Sequence, residues 1–525
     1  MKIMKKSICL CLVTIMIIAS LSSCGTIFDK ILSSNESETG SDVIDGSSTD
    51  STTQSDSEET EIETDEYGQP VYNDTTEGLN YNGKQINFLI RNGAQYAREW
   101  CTETLSTNLD HKVYARNQAV QDALGVKINY MTQAEGADNR DFFQRVTNVG
   151  TAGMGGLDVV SAYAAYATNS TAMAFYVNWL DDVTLPYLNL DRAYWNQNFK
   201  NTAQAYGKLY VNVGDMNLSV YDRCMVVYFN KTLAEDFLKD MNGQPIDLYN
   251  IVNSGEWYYE TFYGMIKGMY EDSNTNSIQD LDDFYGVTGI LGSEASDAFL
   301  YSFGGSLTTT AADGTHALVT DSDHEKLVNI FDKMIEFWYS EDAAMPADSY
   351  KNCDIFANGN TLFTVDVVYH HEEGFKKFQE MEDGFGIIPM PKYDEDQDEY
   401  MTGIQDAHNV LSIMNCGGNQ NFEMISAVLE KMASYSYTNV RPYYIENVLK
   451  KQNMDHDSSK CFNYVLNGIR WDFSDVYSIS LSKLRESMWR TPFKTNTSFT
   501  NRWKTYESKF STELSNLDTW LIAQK

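Results

Sequence analysis

From Gly25 to about Asn80 the chain has almost nothing to bury. This stretch, which includes "SETGSDVIDGSSTDSTTQSDSEETEIETDE", is mostly Ser, Thr, Gly and acids, with fifteen Asp and Glu against the single Lys30. So little apolar surface cannot offset the entropy of an ordered chain, and like charges repel along it, so the stretch reads as an extended tether. Folding is confined to the remainder, about 440 residues from about Gly83 to Lys525, more than one core holds and enough for two lobes.

Ahead of the tether, Lys2, Lys5 and Lys6 precede an apolar run from Ile8 to Ala19 broken only by Thr14. That is the charged and hydrophobic pattern of a secretory signal, and it is short for a membrane span. Leu21-Ser22-Ser23-Cys24 resembles a bacterial lipobox, in which the cysteine sulfur takes a diacylglycerol and becomes the first residue. The competing reading is a cleaved signal with an accidental cysteine. Two acyl chains hold a membrane far more firmly than one, at roughly 0.8 kcal/mol per buried methylene. The expected organisation is a signal peptide over 1–23, lipidation at Cys24, a tether over 24–80 and a body over 81–525, displayed on the extracellular face of the cell membrane.

The net charge of −35 argues against nucleic acid and anionic surfaces as partners, and an acidic chain with 34 tyrosines suits a neutral polar ligand. Once the signal has gone and Cys24 is lipidated, Cys101, Cys224, Cys353, Cys416 and Cys461 remain, an odd number with no CxxC pair and no zinc spacing. Along the body, strand-like runs alternate with helical periods. "KQINFLIRNG" ends in a polar turn; in "DHKVYARNQAVQDALGVKINYM", Val113, Val120 and Leu124 share a helical face that Gly125 stops before a second strand. "LDVVSAY", "KLYVNVGD" and "MVVYFNK" continue the pattern, which predicts an α/β fold with largely parallel sheets. Ligands of such sheets lie beyond the carboxyl ends of the strands, where Arg91, Asn92, Tyr163, Asp215 and Asn230 fall.

Several stretches, in order from about residue 81 to 445, resemble the extracellular solute-binding lipoproteins of carbohydrate ABC importers, in particular the large clostridial-type members of the family 1 group. They include "YNGKQINFLIRNG", "WLDDVTLPYLNLDRAYWNQNF", "GKLYVNVGDMNLSVYDRCMVVYFNKTLAEDF", "LYNIVNSGEWYYETF", "DDFYGVTG", "FANGNTLFTVDVV", "FGIIPMPKYDEDQDEY" and "VLEKMASYSY". The resemblance implies a two-lobed, periplasmic-binding-protein-like (type II) fold with hinge crossovers near Met225 to Asn230 and Gln405 to Ser412. Lobe 1 would span about 81–224 plus about 405–440, and lobe 2 about 225–404 plus C-terminal helices over about 441–525. It implies a monomer that needs no cofactor, takes a carbohydrate ligand and delivers it to ABC permease subunits in the membrane.

A sugar presents hydroxyls that donate and accept together with apolar C–H faces, so its cleft needs polar side chains beside flat rings. Arg91, Tyr163, Trp195, Asp215, Trp257, Asp366 and Asp406 are the candidates near strand ends and connections, with Trp195 leading because "RAYWNQN" sets an indole beside amides. Core packing competes with stacking for every tryptophan, and a helix cap competes with the cleft for Asp366. In "EDSNTNSIQDLDDFYG", Asp272, Asn274, Asn276, Asp280 and Asp283 occupy the first, third, fifth, ninth and twelfth places of a calcium loop. Ser277 replaces the turn glycine there, so a structural calcium and a solvated turn are both open readings.

Enzyme signatures are mostly missing. His324-Glu325 lacks the second zinc-protease histidine, His370-His371-Glu372-Glu373 reads as exposed, and there is neither a G-x-S-x-G elbow nor a P-loop. The expectation is a binding protein and not an enzyme. The alternatives are a tethered glycoside hydrolase, whose paired carboxylates any acid-rich chain could supply, and a binder of peptide or another solute.

Overall fold

The computed structural model describes Thr64 and residues 70–101, 105–347, 351–369, 372–450 and 456–524. The signal, Cys24, most of the tether, His370 and His371 lie outside the described residues. Eleven strands are described: β1 (Lys84–Arg91), β2 (Val126–Gln133), β3 (Val159–Tyr163), β4 (Met225–Asn230), β5 (Tyr285–Gly289), β6 (Thr308–Thr310), β7 (His316–Leu318), β8 (Ala343–Ala344), β9 (Thr361–Val367), β10 (Phe385–Pro389) and β11 (Asn409–Ile413).

Two mixed sheets organise the body, and the architecture is α/β. The first sheet has the order β11-β3-β1-β2, with β1, β2 and β3 parallel and β11 antiparallel to β3. The second runs β10-β4-β9-β5-β8, with β4 antiparallel to both neighbours and β5 parallel to β8 and β9. Strands covered on both faces need no polar alternation, which is why β4 reads as the continuous run "MVVYFN" and is buried throughout. β6 and β7 form a separate hairpin.

The helix Asn108–Leu124 shows local sequence determining local structure. Thr107 and Asp110 close a capping box at its start, and Gly125 ends it in the left-handed region at φ 59°. Leu109, Val113, Val120 and Leu124 are buried along one face. A Cβ on Gly125 would also lie 2.3 Å from the Asn80 side chain, so the position is closed to other residues on two counts.

Three chain segments pass between the sheets side by side. Met225 N donates to Gly403 O and Gln405 N to Arg223 O, both at 2.9 Å, while Thr402 N donates to Gly468 O at 2.8 Å. The C-terminal segment touches the helical layers of both sheets. Arg441–Lys450 packs on Asn108–Leu124, His456–Asn467 packs on β10, and Phe473–Val476 packs on the short helix after β3. The five body cysteines are free thiols, and no described helix is long and apolar enough to cross a membrane.

Candidate functional site

Register brings three of the predicted residues together. β1 and β3 are parallel, so Arg91 and Tyr163 end at the same edge of the first sheet. β11 enters antiparallel with Asn409 opposite Tyr163, which delivers the preceding residues, Asp406 among them, to that edge. Arg91 is almost fully buried and pairs with Glu135; its Nη1 donates to Ala407 O (2.8 Å) and Asn409 Oδ1 (3.0 Å). Its guanidinium lies between two rings, 3.4 Å from the centroid of Tyr96 and 4.5 Å from that of Tyr163. Tyr163 stacks in turn on Tyr166 at 5.4 Å, and its hydroxyl donates to Asp406 Oδ1 at 3.2 Å. All three tyrosines are half-buried, so ring surface remains open at the strand ends.

Asp406 is held from the other side by two arginines, Arg490 Nη1 at 3.1 Å and Arg485 Nη2 at 3.3 Å. Side chains five residues apart diverge by roughly 140° on an α-helix. Here Glu486–Arg490 forms a π turn, closed by the Thr491 N–H on Glu486 O, and the wider turn returns both guanidiniums to one side. Behind them, fully buried Asp297 accepts Arg490 Nε at 2.9 Å, and Asp475 pairs with Arg485 Nη1 at 2.9 Å and accepts the Tyr301 hydroxyl. Burial alone would raise the pKa of Asp406, but Arg490 and Arg485 outweigh it and hold this carboxyl well below the ordinary range. Burial wins at Asp475, pushing it up to about 6 with Asp297 adding to the rise and Arg485 opposing it. His408, buried against Trp471, is pushed down to about 4 by burial and stays neutral.

The rim is completed by Lys483, whose Nζ donates to the Tyr166 hydroxyl at 3.0 Å, and by Asp138, which accepts from that hydroxyl at 3.1 Å. Asp138 holds φ 51° and Asn139 φ 54°, left-handed backbone that costs a non-glycine residue energy and aims Asp138 at the site. Together the edge offers flat rings, ionised acceptors and fixed cationic donors, the repertoire that recognises a polyhydroxylated ligand.

The remaining candidates lie elsewhere, each for a packing reason. Trp195 is fully buried: its ring packs over Gly214, where a Cβ would come within 2.8 Å, and its Nε1 donates to Glu430 at 3.0 Å. Trp257 is fully buried too, donating to Pro389 O at 2.8 Å and packing on Phe262. Both indoles are core side chains here, and no ring face is open for stacking. Asp366, one residue before the end of β9, is buried and accepts from Asn352 at 2.8 Å. Asp215 accepts from Tyr221 and pairs with Arg441 at 3.6 Å, away from Arg91 and Asp406. Asn230 caps the helix Lys231–Phe237 through the Leu233 N–H. Tyr96, Tyr166, Asp297, Asp475, Arg485 and Arg490 were not anticipated; the two arginines are separated by five residues, which no helical period flags.

The loop carrying the calcium pattern is closed on itself. Asp272 accepts the N–H groups of Asn276 (3.2 Å) and Ser277 (2.8 Å), and Asn274 Oδ1 accepts that of Asn276 (3.0 Å). Asn276 donates to Asp280 at 2.7 Å. Asp283 is fully buried under Tyr270, the Ser273 N–H and the Asp280 N–H. Among the described residues no group of three or more His, Cys, Asp or Glu is placed to hold a metal ion.

No family model and no curated protein matches this chain. Among solved structures, the GacH receptor of Streptomyces glaucescens GLA.O, solved unliganded and with acarbose, is 13% identical at a TM-score of 0.48 and covers 84% of this chain and 100% of its own. Maltose-bound MalE3 of T. maritima is 13% identical at 0.49, covering 83% and 100%. A cyclo/maltodextrin-binding protein with maltotetraose is 10% identical at 0.48, covering 84% and 98%.

Proposed function

We propose that this chain is the substrate-binding component of an ABC importer, tethered through a lipid on Cys24 at the extracellular face of the membrane, that captures a sugar or oligosaccharide as a monomer without chemical turnover. The observation that carries the reading is the convergence of Tyr96, Tyr163 and Tyr166 on Arg91 and Asp406, at the edge where the chain enters β11 from the crossing between the sheets. The Arg485 and Arg490 guanidiniums that hold Asp406 also pair with Asp297 on the helix Ser293–Ser302, which packs on β9 of the second sheet, so a ligand that engages Asp406 binds one arrangement of the two sheets better than others. That difference in affinity is what shifts the population and signals the permease.

The test is a thermal-shift screen of the chain against glycans and oligopeptides, followed by solution scattering and product analysis with any hit. A ligand that binds only the folded form raises its stability. The expected result is one-to-one binding of a carbohydrate, a more compact particle and intact sugar. Shortened glycan after incubation would select the hydrolase, and stabilisation by peptides alone would move the ligand class. For the anchor, Cys24→Ser should leave the protein in the medium or unprocessed; a processed Cys24→Ser protein retained at the membrane would refute lipidation.

A further inference from the structure

Glu99 lies behind the strand-end site, 1% exposed. It follows the short helix Ala94–Ala97 after β1, and its surroundings fix it to the first sheet: its carbonyl accepts Arg116 Nη2 at 2.8 Å, and the next residue, Trp100, donates through Nε1 to Ser161 of β3 at 3.2 Å. Its carboxylate meets three donors. Oε2 accepts the Ser219 N–H (3.0 Å) and hydroxyl (2.8 Å), and Oε1 accepts Asn409 Nδ2 (2.7 Å). Ser219 Oγ in turn accepts the Asn409 N–H at 3.0 Å, which closes a ring of hydrogen bonds. Ser219 stands just before the crossing at Arg223 and Asn409 just after the crossing at Gln405, so one carboxylate pins the first-sheet ends of both.

Burial raises the pKa of this carboxyl, and Ser219 and Asn409 oppose the rise by donating to it. A neutral side chain of the same shape would fill the space at less cost. What the charge supplies is direction. An amide carries donors on one side and an acceptor on the other. Asn409 Nδ2 lies between two acceptors, Glu99 Oε1 at 2.7 Å and Tyr96 O at 3.5 Å, which leaves Oδ1 facing Arg91 Nη1 at 3.0 Å. The reversed amide would set an oxygen against the carboxylate and an NH2 group against the guanidinium. Arg91 is the group that Tyr96 and Tyr163 enclose, so one buried amide helps decide where the guanidinium sits between the rings. We propose that Glu99 is a positioning residue of the strand-end site, which touches no ligand itself and sets Arg91 through Asn409. Only the identity of what Arg91 then binds rests on the sugar reading.

Exchanging the two polarities tests the relay. In Glu99→Gln the amide oxygen is drawn to the two Ser219 donors, so its NH2 group faces Asn409 and turns that side chain's donors onto Arg91. In Glu99→Gln with Asn409→Asp, the introduced amide donates to the introduced carboxylate, whose second oxygen accepts Arg91 Nη1. The first readout needs no ligand. In protein carrying isotope-labelled arginine, the Arg91 Nε–H resonance, assigned by its absence in Arg91→Lys, is displaced by the two rings that enclose the guanidinium. It should move in Glu99→Gln and return toward its wild-type position in the double variant. The second readout is calorimetric titration with maltotetraose, cellotetraose and xylotetraose. Since Glu135 and Ala407 O still hold Arg91, Glu99→Gln should bind roughly three- to tenfold more weakly, the worth of one hydrogen bond, and the double variant should recover most of that loss. An unmoved Arg91 resonance in Glu99→Gln, wild-type affinity in that variant, or a double variant no closer to wild type than Glu99→Gln would overturn the relay. A resonance that moves and returns while the wild type binds none of the three sugars would uphold the relay and count against the sugar reading.

Discussion

Replacing Asp297 with Asn tests the charged cluster behind the site most directly. The carboxylate is fully buried, accepts Arg490 Nε at 2.9 and 3.2 Å, lies 3.5 Å from Arg485 and accepts the Ser296 hydroxyl at 3.0 Å. Asparagine keeps the shape but removes the charge and turns an amide donor toward two guanidiniums that are already donors. Breaking a buried pair from one side costs about 3–5 kcal/mol, because the surviving charge is left poorly compensated. In a body of this size each kcal/mol moves the melting temperature by roughly 1 °C, so Asp297→Asn should melt roughly 3–5 °C lower. Asp297→Asn combined with Arg490→Met removes both charges, and replacing a whole buried pair is often neutral or stabilising. The double variant should therefore recover part of the loss, with a coupling of about 1–3 kcal/mol in denaturant titrations. A single variant melting within about 1 °C of wild type, or strictly additive effects, would refute the cluster as a cooperative unit.

Protonation gives a second handle. Asp475 is raised to about 6 from 3.8, so its contribution to stability is fully present below the unfolded value and is lost as pH rises through about 6. Asp475→Asn should flatten that part of the stability profile, and an identical profile would show that another group titrates. Trp195→Ala should destabilise by about 3–5 kcal/mol as a core truncation, measured by denaturant unfolding. Tyr163→Ala should instead weaken sugar binding by roughly 1–3 kcal/mol at near wild-type stability; the opposite assignment would reverse the roles of the two rings. Excess chelator should leave the melting temperature unchanged, since the carboxylates of Asp272, Asp280 and Asp283 already accept the loop's own N–H groups. A drop abolished by Asp272→Ala would restore calcium.

What the sequence determines by itself here is local. Composition nominates the stretch from Gly25 to about Asn80 as a tether, because chain entropy and like charge act without reference to fold. Periodicity and end signals place the helix from Asn108 to Gly125 and the buried strands around it, because capping and one-sided burial are decided within a few residues. Arg91 and Tyr163 are legible as candidates because strand ends are visible in sequence and α/β sheets bind ligands there, whereas Asp406 stands only as one of seven candidates near strand ends and connections. Which of the other candidates face solvent could not be read the same way. Trp195 is decided by Glu430, 235 positions later, and Asp406 by a Tyr163 hydroxyl 243 positions earlier. The arginine pair depends on one extra residue in a helical turn, which rotates Arg490 onto Asp297 and Asp406. Burial, charge pairing and the entry of β11 arise from contacts between distant segments, and the energies that select them exist only once the two sheets have packed.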